Sequence, residues 1–116
     1  MAYVDGYVIP VPHANKEAYH KLAHDMVALF KEFGAIDIVE CWGDDIPKGE
    51  LTDFFKAVQA KDDEGVVFSW MIWPSKEARD AGWAKMQTDE RFAEHGPMPF
   101  DGKRMFFGGF EPIVGL

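Results

Sequence analysis

The stretch Val66-Val67-Phe68-Ser69-Trp70-Met71-Ile72-Trp73 decides the fold. Its β-branched and aromatic residues suit a pleated surface, Asp62-Asp63-Glu64-Gly65 reads as the turn into it, and Pro74 stops it. A strand with one wet face alternates apolar and polar residues, and this one does not. Val66, Phe68, Trp70 and Ile72 point one way, Val67, Met71 and Trp73 the other, and only Ser69 is polar. Both faces of its sheet must therefore be covered.

Working outward, residues 3–12 are β-prone and apolar on both parities, a first strand whose ladder Pro10 and Pro12 are expected to end for want of donors. Asn15 is a good N-cap for a helix in which Tyr19, Leu22, Ala23, Met26, Val27, Phe30 and Phe33 recur at three- and four-residue spacing, and Gly34 closes it. Residues 35–42, with Ile36, Ile38 and Val39, make a second strand. Residues 44–64 are the least determined. Within them, 51–58 fits a short irregular strand or one and a half helical turns, and extended structure is the expectation.

Beyond Pro74, Ser75 caps a second helix with a weaker stripe of Ala78, Ala81, Gly82, Trp83 and Met86, and Phe92 further on. Gly82 makes it the frailer helix. Two prolines and two glycines in residues 95–102 predict a loop ending in an Asp101-Gly102 turn, followed by a last strand from 103 to about 114. Gly108-Gly109 within that strand suggests a bulge or the close approach of another backbone.

The order strand, helix, strand, strand, helix, strand is the split βαβ pattern, an α+β fold with a four-stranded antiparallel sheet and two helices on one face. At 116 residues the chain supports one core, so residues 1–116 are expected to form a single domain. The helix-free face, about 500 Å² in area, is too large an apolar surface to stay wet on a soluble monomer. Residues 46–60 could cover only part of it. A two-fold homodimer packed through the sheet faces is the expected answer, removing somewhat over ~1,000 Å² of surface.

Composition excludes several classes. Twelve basic against twenty acidic residues give a net charge of −8, and only Lys103-Arg104 are adjacent basic residues, which argues against nucleic acid. Cys41 is the only cysteine, so no internal disulfide and no cysteine-based metal site is expected. The first residues lack the basic start and apolar run of a secretory leader, and the longest apolar stretch, near 66–74, falls far short of a bilayer span. A cytoplasmic location is the expectation. The acidic runs Asp44-Asp45 and Asp62-Asp63-Glu64 lack calcium-loop spacing and read as solvated turns.

Few residues invite chemistry. His20 and His24 lie four apart, a spacing that places two imidazoles on one metal, but His20 falls at the edge of the apolar stripe and His24 beyond it. Both read as boundary or surface residues, His13 joins them only if its loop folds back, and no metal or cofactor is expected. Asp5, Asp37, Glu40 and Ser69 are polar residues lodged in apolar strands, where a carboxylate tends towards a raised pKa and acid or base work, or is innocently bonded to Arg104 or backbone amides. Trp42, Trp70, Trp73 and Trp83 either pack the core or line a pocket for a flat apolar ligand between sheet and helices. There is no Ser-His-Asp ordering, phosphate loop or dinucleotide fingerprint.

The runs Tyr3-Val4-Asp5-Gly6-Tyr7, Thr52-Asp53-Phe54, residues 66–70, Trp73-Pro74-Ser75-Lys76 with Arg79-Asp80, residues 98–105 and Gly108-Gly109-Phe110-Glu111 together resemble the YbaA-like family of small bacterial proteins. One departure, Asp89-Glu90-Arg91-Phe92, lies where a proline and a methionine are expected at the second and fourth positions, and bears on a local break in the second helix. The resemblance implies the ferredoxin-like, dimeric α+β barrel superfamily, which also holds cofactor-free monooxygenases, haem-degrading enzymes and stress-related proteins. It carries over no catalytic residue. The expectation is a ligand-binding or stress-associated homodimer. The alternative is a small metal-free enzyme, monooxygenase-like or isomerase-like, acting on an apolar or aromatic molecule between sheet and helices.

Overall fold

A computed structural model of the chain describes residues 1–93 and 97–116. Strand β1 (Tyr3–Pro12) leads through one 3-10 turn (His13–Asn15) into helix α1 (Lys16–Glu32), followed by β2 (Asp37–Trp42), a short helix α2 (Phe54–Ala57), β3 (Glu64–Trp73), α3 (Lys76–Thr88), a single turn α4 (Glu90–Ala93) and β4 (Phe106–Phe110). The four strands form one antiparallel sheet in the order β2-β3-β1-β4, as the split βαβ pattern requires. Residues 94–96, which include His95 and Gly96 of the expected loop, lie outside the described residues.

Register sorts the side chains. Tyr3, Asp5, Tyr7, Ile9 and Val11 of β1 stand beside Trp73, Met71, Ser69, Val67 and Gly65 of β3, and β2 adds Ile38, Glu40 and Trp42 to that side. This is the helix face. Tyr19 of α1 packs there on Ile9, Val11 and Val67, and Met86 of α3 on Met71, Trp73 and Ala35. Gly82 is buried in α3 because Trp73 and the Phe33 carbonyl leave no room for a side chain: an added Cβ would meet them at 2.7 and 2.9 Å.

The opposite face carries Val4, Gly6 and Val8, Ile72, Trp70 and Phe68, and Phe110, Gly108 and Phe106. Phe68 is 44% exposed, Phe106 46% and Phe110 63%. Residues 46–60 cover one end of this face, where Val58 packs with Val8 and Val66, flanked by Ile46 and Phe55. As expected from its length, the segment leaves the rest open. Its conformation differs from the extended expectation. The Asp53 carboxylate accepts hydrogen bonds from the backbone N–H of Lys56 (2.6 Å) and Gly49 (2.9 Å), so an N-cap starts α2, and Phe54 then meets Phe68 edge-on at 5.9 Å.

Four further details depart from the expected pattern. Pro10 and Pro12 do not end the ladder of β1, which pairs with β3 throughout. His13 donates its N–H to the Asp63 carbonyl (2.8 Å), so odd positions of β1 bond towards β3 and the even-numbered prolines face away from it. On that side β4 pairs only as far as Val8. A β4 beginning at residue 103 would set Arg104 against the donorless Pro10, and the strand accordingly starts at Phe106; Pro112 stops its continuation beyond Phe110. Gly108-Gly109 forms no bulge, since pairing with β1 is continuous, and it is the Tyr3 ring that crowds Gly109. Asn15 occupies the N-cap position without a side-chain cap bond, its amide donating instead to the Pro99 carbonyl (3.0 Å). Ser75 does cap α3, accepting from Ala78 N–H at 3.0 Å, and Gly34 ends α1 at φ +114°.

Candidate functional site

A pocket of about 260 Å³ lies between the sheet and helices α1 and α3. Its floor is the helix face of the sheet, with Tyr7, Ile9, Glu40, Ser69 and Met71. Met26 and Phe30 of α1 form one wall and Trp83 of α3 another, and Met98, Phe100 and Met105 lean over it from the segment that precedes β4. The amphipathic stripe of α1 is thus only partly spent on core packing.

Polar groups on that floor lie in one row. Tyr7 is the register partner of Ser69, and Ser69 of Glu40, so the three cross β1, β3 and β2 side by side. Adjacent strands lie about 4.8 Å apart, which spaces the row's ends by roughly 10 Å. Tyr19 donates its hydroxyl to Glu40 Oε1 at 2.6 Å. Glu40 keeps an exposed flank on the edge strand. Protein around its carboxyl nevertheless raises its pKa, an effect the Tyr19 bond partly opposes. Burial also raises the Tyr7 pKa, with Asp5 adding to it, so its phenol stays protonated. The Tyr7 hydroxyl is buried and has no hydrogen-bond partner among the described residues.

Asp5 lies one row away and is wholly inaccessible. It accepts from the indole N–H of Trp73 (2.9 Å) and Trp83 (3.0 Å), and from Arg79 through Nη2 (2.8 Å) and Nε (3.2 Å to each oxygen). This is a saturated carboxylate that holds Trp83 in the pocket wall. Its cation is Arg79 and not Arg104, which instead pairs with Glu64 at 2.6 Å and with Asp101 at 2.9 Å. Arg79 lies four residues, about one helical turn, past Ser75, so the capped start of α3 brings it to the sheet.

The remaining residues singled out from sequence scatter. Asp37 is exposed on the outer face and accepts from Ile38 N–H. His20 and His24 are exposed on α1, and among the described residues no group of three His, Cys, Asp or Glu is placed to hold a metal. The His13 ring lies tilted against Trp42, 6.0 Å between centroids, and Trp42 also lies under Lys16. Of the four tryptophans, Trp83 alone lines the pocket; Trp70 is on the outer face and Trp73 is in the core. Tyr7 and Tyr19 were not singled out. The signal was available for Tyr7, since an aromatic with a polar tip in a doubly covered strand needs a partner for its hydroxyl.

Fold and pocket together define a split βαβ protein of the ferredoxin-like class. Solved structures agree: a Bacillus cereus protein named as a candidate antibiotic biosynthesis monooxygenase superimposes with a TM-score of 0.55 at 13% identity, over 100% of this chain and 95% of that one. The protein Rv0793 of Mycobacterium tuberculosis gives 0.53 at 12% identity, covering 99% and 98%. A dimeric ferredoxin-like protein from an uncultured marine organism gives 0.53 at 8% identity, covering 95% and 92%. These likenesses establish the fold. The chain belongs to the family described as "Protein of unknown function (DUF1428)", whose pattern matches residues 2–102. It is 56% identical to the uncharacterized protein YbaA of Escherichia coli K12 over 115 residues, 98% of each chain, and equally to that of Shigella flexneri. Among the described residues no helix is long and apolar enough to cross a membrane.

Proposed function

We propose that residues 1–116 form a single-domain cytoplasmic protein that acts as a homodimer, each protomer binding a small apolar molecule in its sheet–helix pocket. The observation that carries the binding reading is the pocket itself: the helix face is well packed at Trp73, Val67 and Val11, yet about 260 Å³ stays open over Tyr7, Ser69 and Glu40. Close packing is the rule in protein interiors, so a gap of this size with an apolar wall is a binding feature. The homodimer rests on the exposed Phe68, Phe106 and Phe110 of the outer face, which α2 does not reach across. A structural neighbour named as dimeric supports it. The net charge of −8 keeps nucleic acid out of the proposal.

Native mass spectrometry of protein purified without denaturation tests the binding reading. A dimer carrying a small organic adduct on each protomer is the expected result. Failure to see an adduct, together with failure to take up an added apolar probe, overturns it.

A second reading, an enzyme acting on the bound molecule, is favoured by one observation. The Glu40 carboxyl has a raised pKa, borders the pocket and is held by Tyr19, the arrangement of a proton acceptor.

A further inference from the structure

The polar row on the pocket floor specifies more than apolarity. Ile9 lies to one side of it and Met71 to the other, with Met26 and Phe30 facing it from α1. The pocket therefore offers a guest a greasy, open-mouthed cleft crossed by a hydrogen-bonding line. At one end of that line is the Tyr7 hydroxyl, which has no partner among the described residues and essentially no accessible surface, so a guest oxygen reaches it only by displacing what covers it. A buried donor left unmade costs about 1–3 kcal/mol, so a native structure that keeps one asks what fills it. At the other end the Glu40 carboxylate is already engaged by Tyr19 and brings negative charge to the rim. An anionic guest would meet that charge in a poorly solvated site.

The volume sets the scale. About 260 Å³ lies just under the roughly 300–1,000 Å³ of drug-sized sites, which limits the guest to the order of one or two fused rings. We propose that the row Tyr7–Ser69–Glu40 selects an uncharged, largely hydrophobic ring compound bearing a hydroxyl or carbonyl oxygen, the oxygen being taken by Tyr7. This rests on the pocket-binding reading above and adds to it the chemical class of the ligand. Ser69, between the two ends and 3% exposed, provides a small floor over which a flat ring can lie.

Three probes of nearly equal shape test the inference by equilibrium dialysis: 2-naphthol, naphthalene and 2-naphthoate. A neutral hydrogen bond is worth about 0.5–1.5 kcal/mol, so 2-naphthol should bind about two- to twelvefold tighter than naphthalene. The naphthoate anion should bind at least about tenfold more weakly than 2-naphthol. Tyr7→Phe should erase the advantage of 2-naphthol and leave naphthalene binding unchanged. Equal affinity for 2-naphthol and naphthalene, an advantage that survives Tyr7→Phe, or naphthoate binding as well as 2-naphthol overturns the proposal while the pocket reading stands. Should none of the three bind the unaltered protein, the pocket reading falls with it. The ranking of the probes on the unaltered protein decides the matter even if the variant does not fold.

Discussion

Replacing Asp5 by Asn strikes the most heavily bonded side chain among the described residues. Its carboxylate is wholly inaccessible and receives two indole N–H groups and two nitrogens of Arg79. Asparagine keeps one acceptor oxygen and turns an NH₂ group towards donors that cannot receive it. Hydrogen bonds to charged groups contribute about 1.5–3 kcal/mol each, and breaking a buried ion pair by removing one partner costs about 3–5 kcal/mol. Arg79 is 21% exposed and keeps Asp80 at 3.0 Å, which softens the loss towards the lower end, about 3 kcal/mol. With a urea m-value of about 2 kcal/mol/M for a small domain, the midpoint should fall by about 1.5 M. Tryptophan fluorescence at one fixed protein concentration reads this transition, because the proposed subunit association would make the midpoint concentration-dependent. A fall below about 0.5 M would refute the account of Asp5 as the anchor of Trp73, Trp83 and Arg79. The double variant Asp5→Asn/Arg79→Met should lose less than the sum of the two single losses, because the two residues share one network.

If the chain forms the proposed dimer, Phe68→Glu, at a position 44% exposed, should leave the fold intact and halve the mass seen by sedimentation from twice 13.1 kDa to that of one protomer; an unchanged dimer would remove the outer face from the interface. Gly82→Ala should destabilise despite a helix-propensity gain of about 1 kcal/mol, because the Cβ meets Trp73 and the Phe33 carbonyl, and overpacking costs about 1–3 kcal/mol; Gly102→Ala, in open space, is the control, and a Gly82→Ala protein of raised melting temperature would contradict the packing described. Glu40 has a folded-state pKa above its unfolded one, so the native chain holds the extra proton and stability falls as pH rises between the two values. Glu40→Gln should remove that fall and be the more stable protein at pH 8, as urea midpoints at pH 5 and 8 will show; a less stable variant at pH 8 reverses the sign. Glu64 behaves oppositely: Arg104 and the Lys61 N–H lower its pKa, so its contribution is present at neutral pH and lost as acid protonates it, and Arg104→Met should shift the onset of acid unfolding to higher pH.

The sheet was legible because β3 advertises two apolar faces without reference to anything distant, and the caps Ser75 and Gly34 are local chemistry. Residues 51–58 were not, since Phe54, Phe55 and Val58 satisfy either period, and what decided them was a bond from Asp53 to its own following turn plus the Phe68 surface they cover. The site was half legible. Asp5, Glu40 and Ser69 stood out as polar residues in apolar strands, but which cation reaches Asp5 depends on where α3 crosses the sheet, so Arg79 in place of Arg104 was beyond local reasoning. That Glu40 and Ser69 join Tyr7 in a row is a fact of strand order and register, visible only once β3 is known to lie between β1 and β2.

The prolines in β1 have a consequence for traffic into the molecule. Because they deny β4 a longer ladder, the segment carrying Met98, Phe100 and Met105 is fastened by side chains, through Asn15 to Pro99 and through Arg104 to Glu64. Fastenings of that kind release one at a time, whereas a ladder must unzip. Access to the compartment beneath it should therefore depend on these few bonds and not on the sheet, and amide exchange in residues 98–105 should outpace that in β1 and β3.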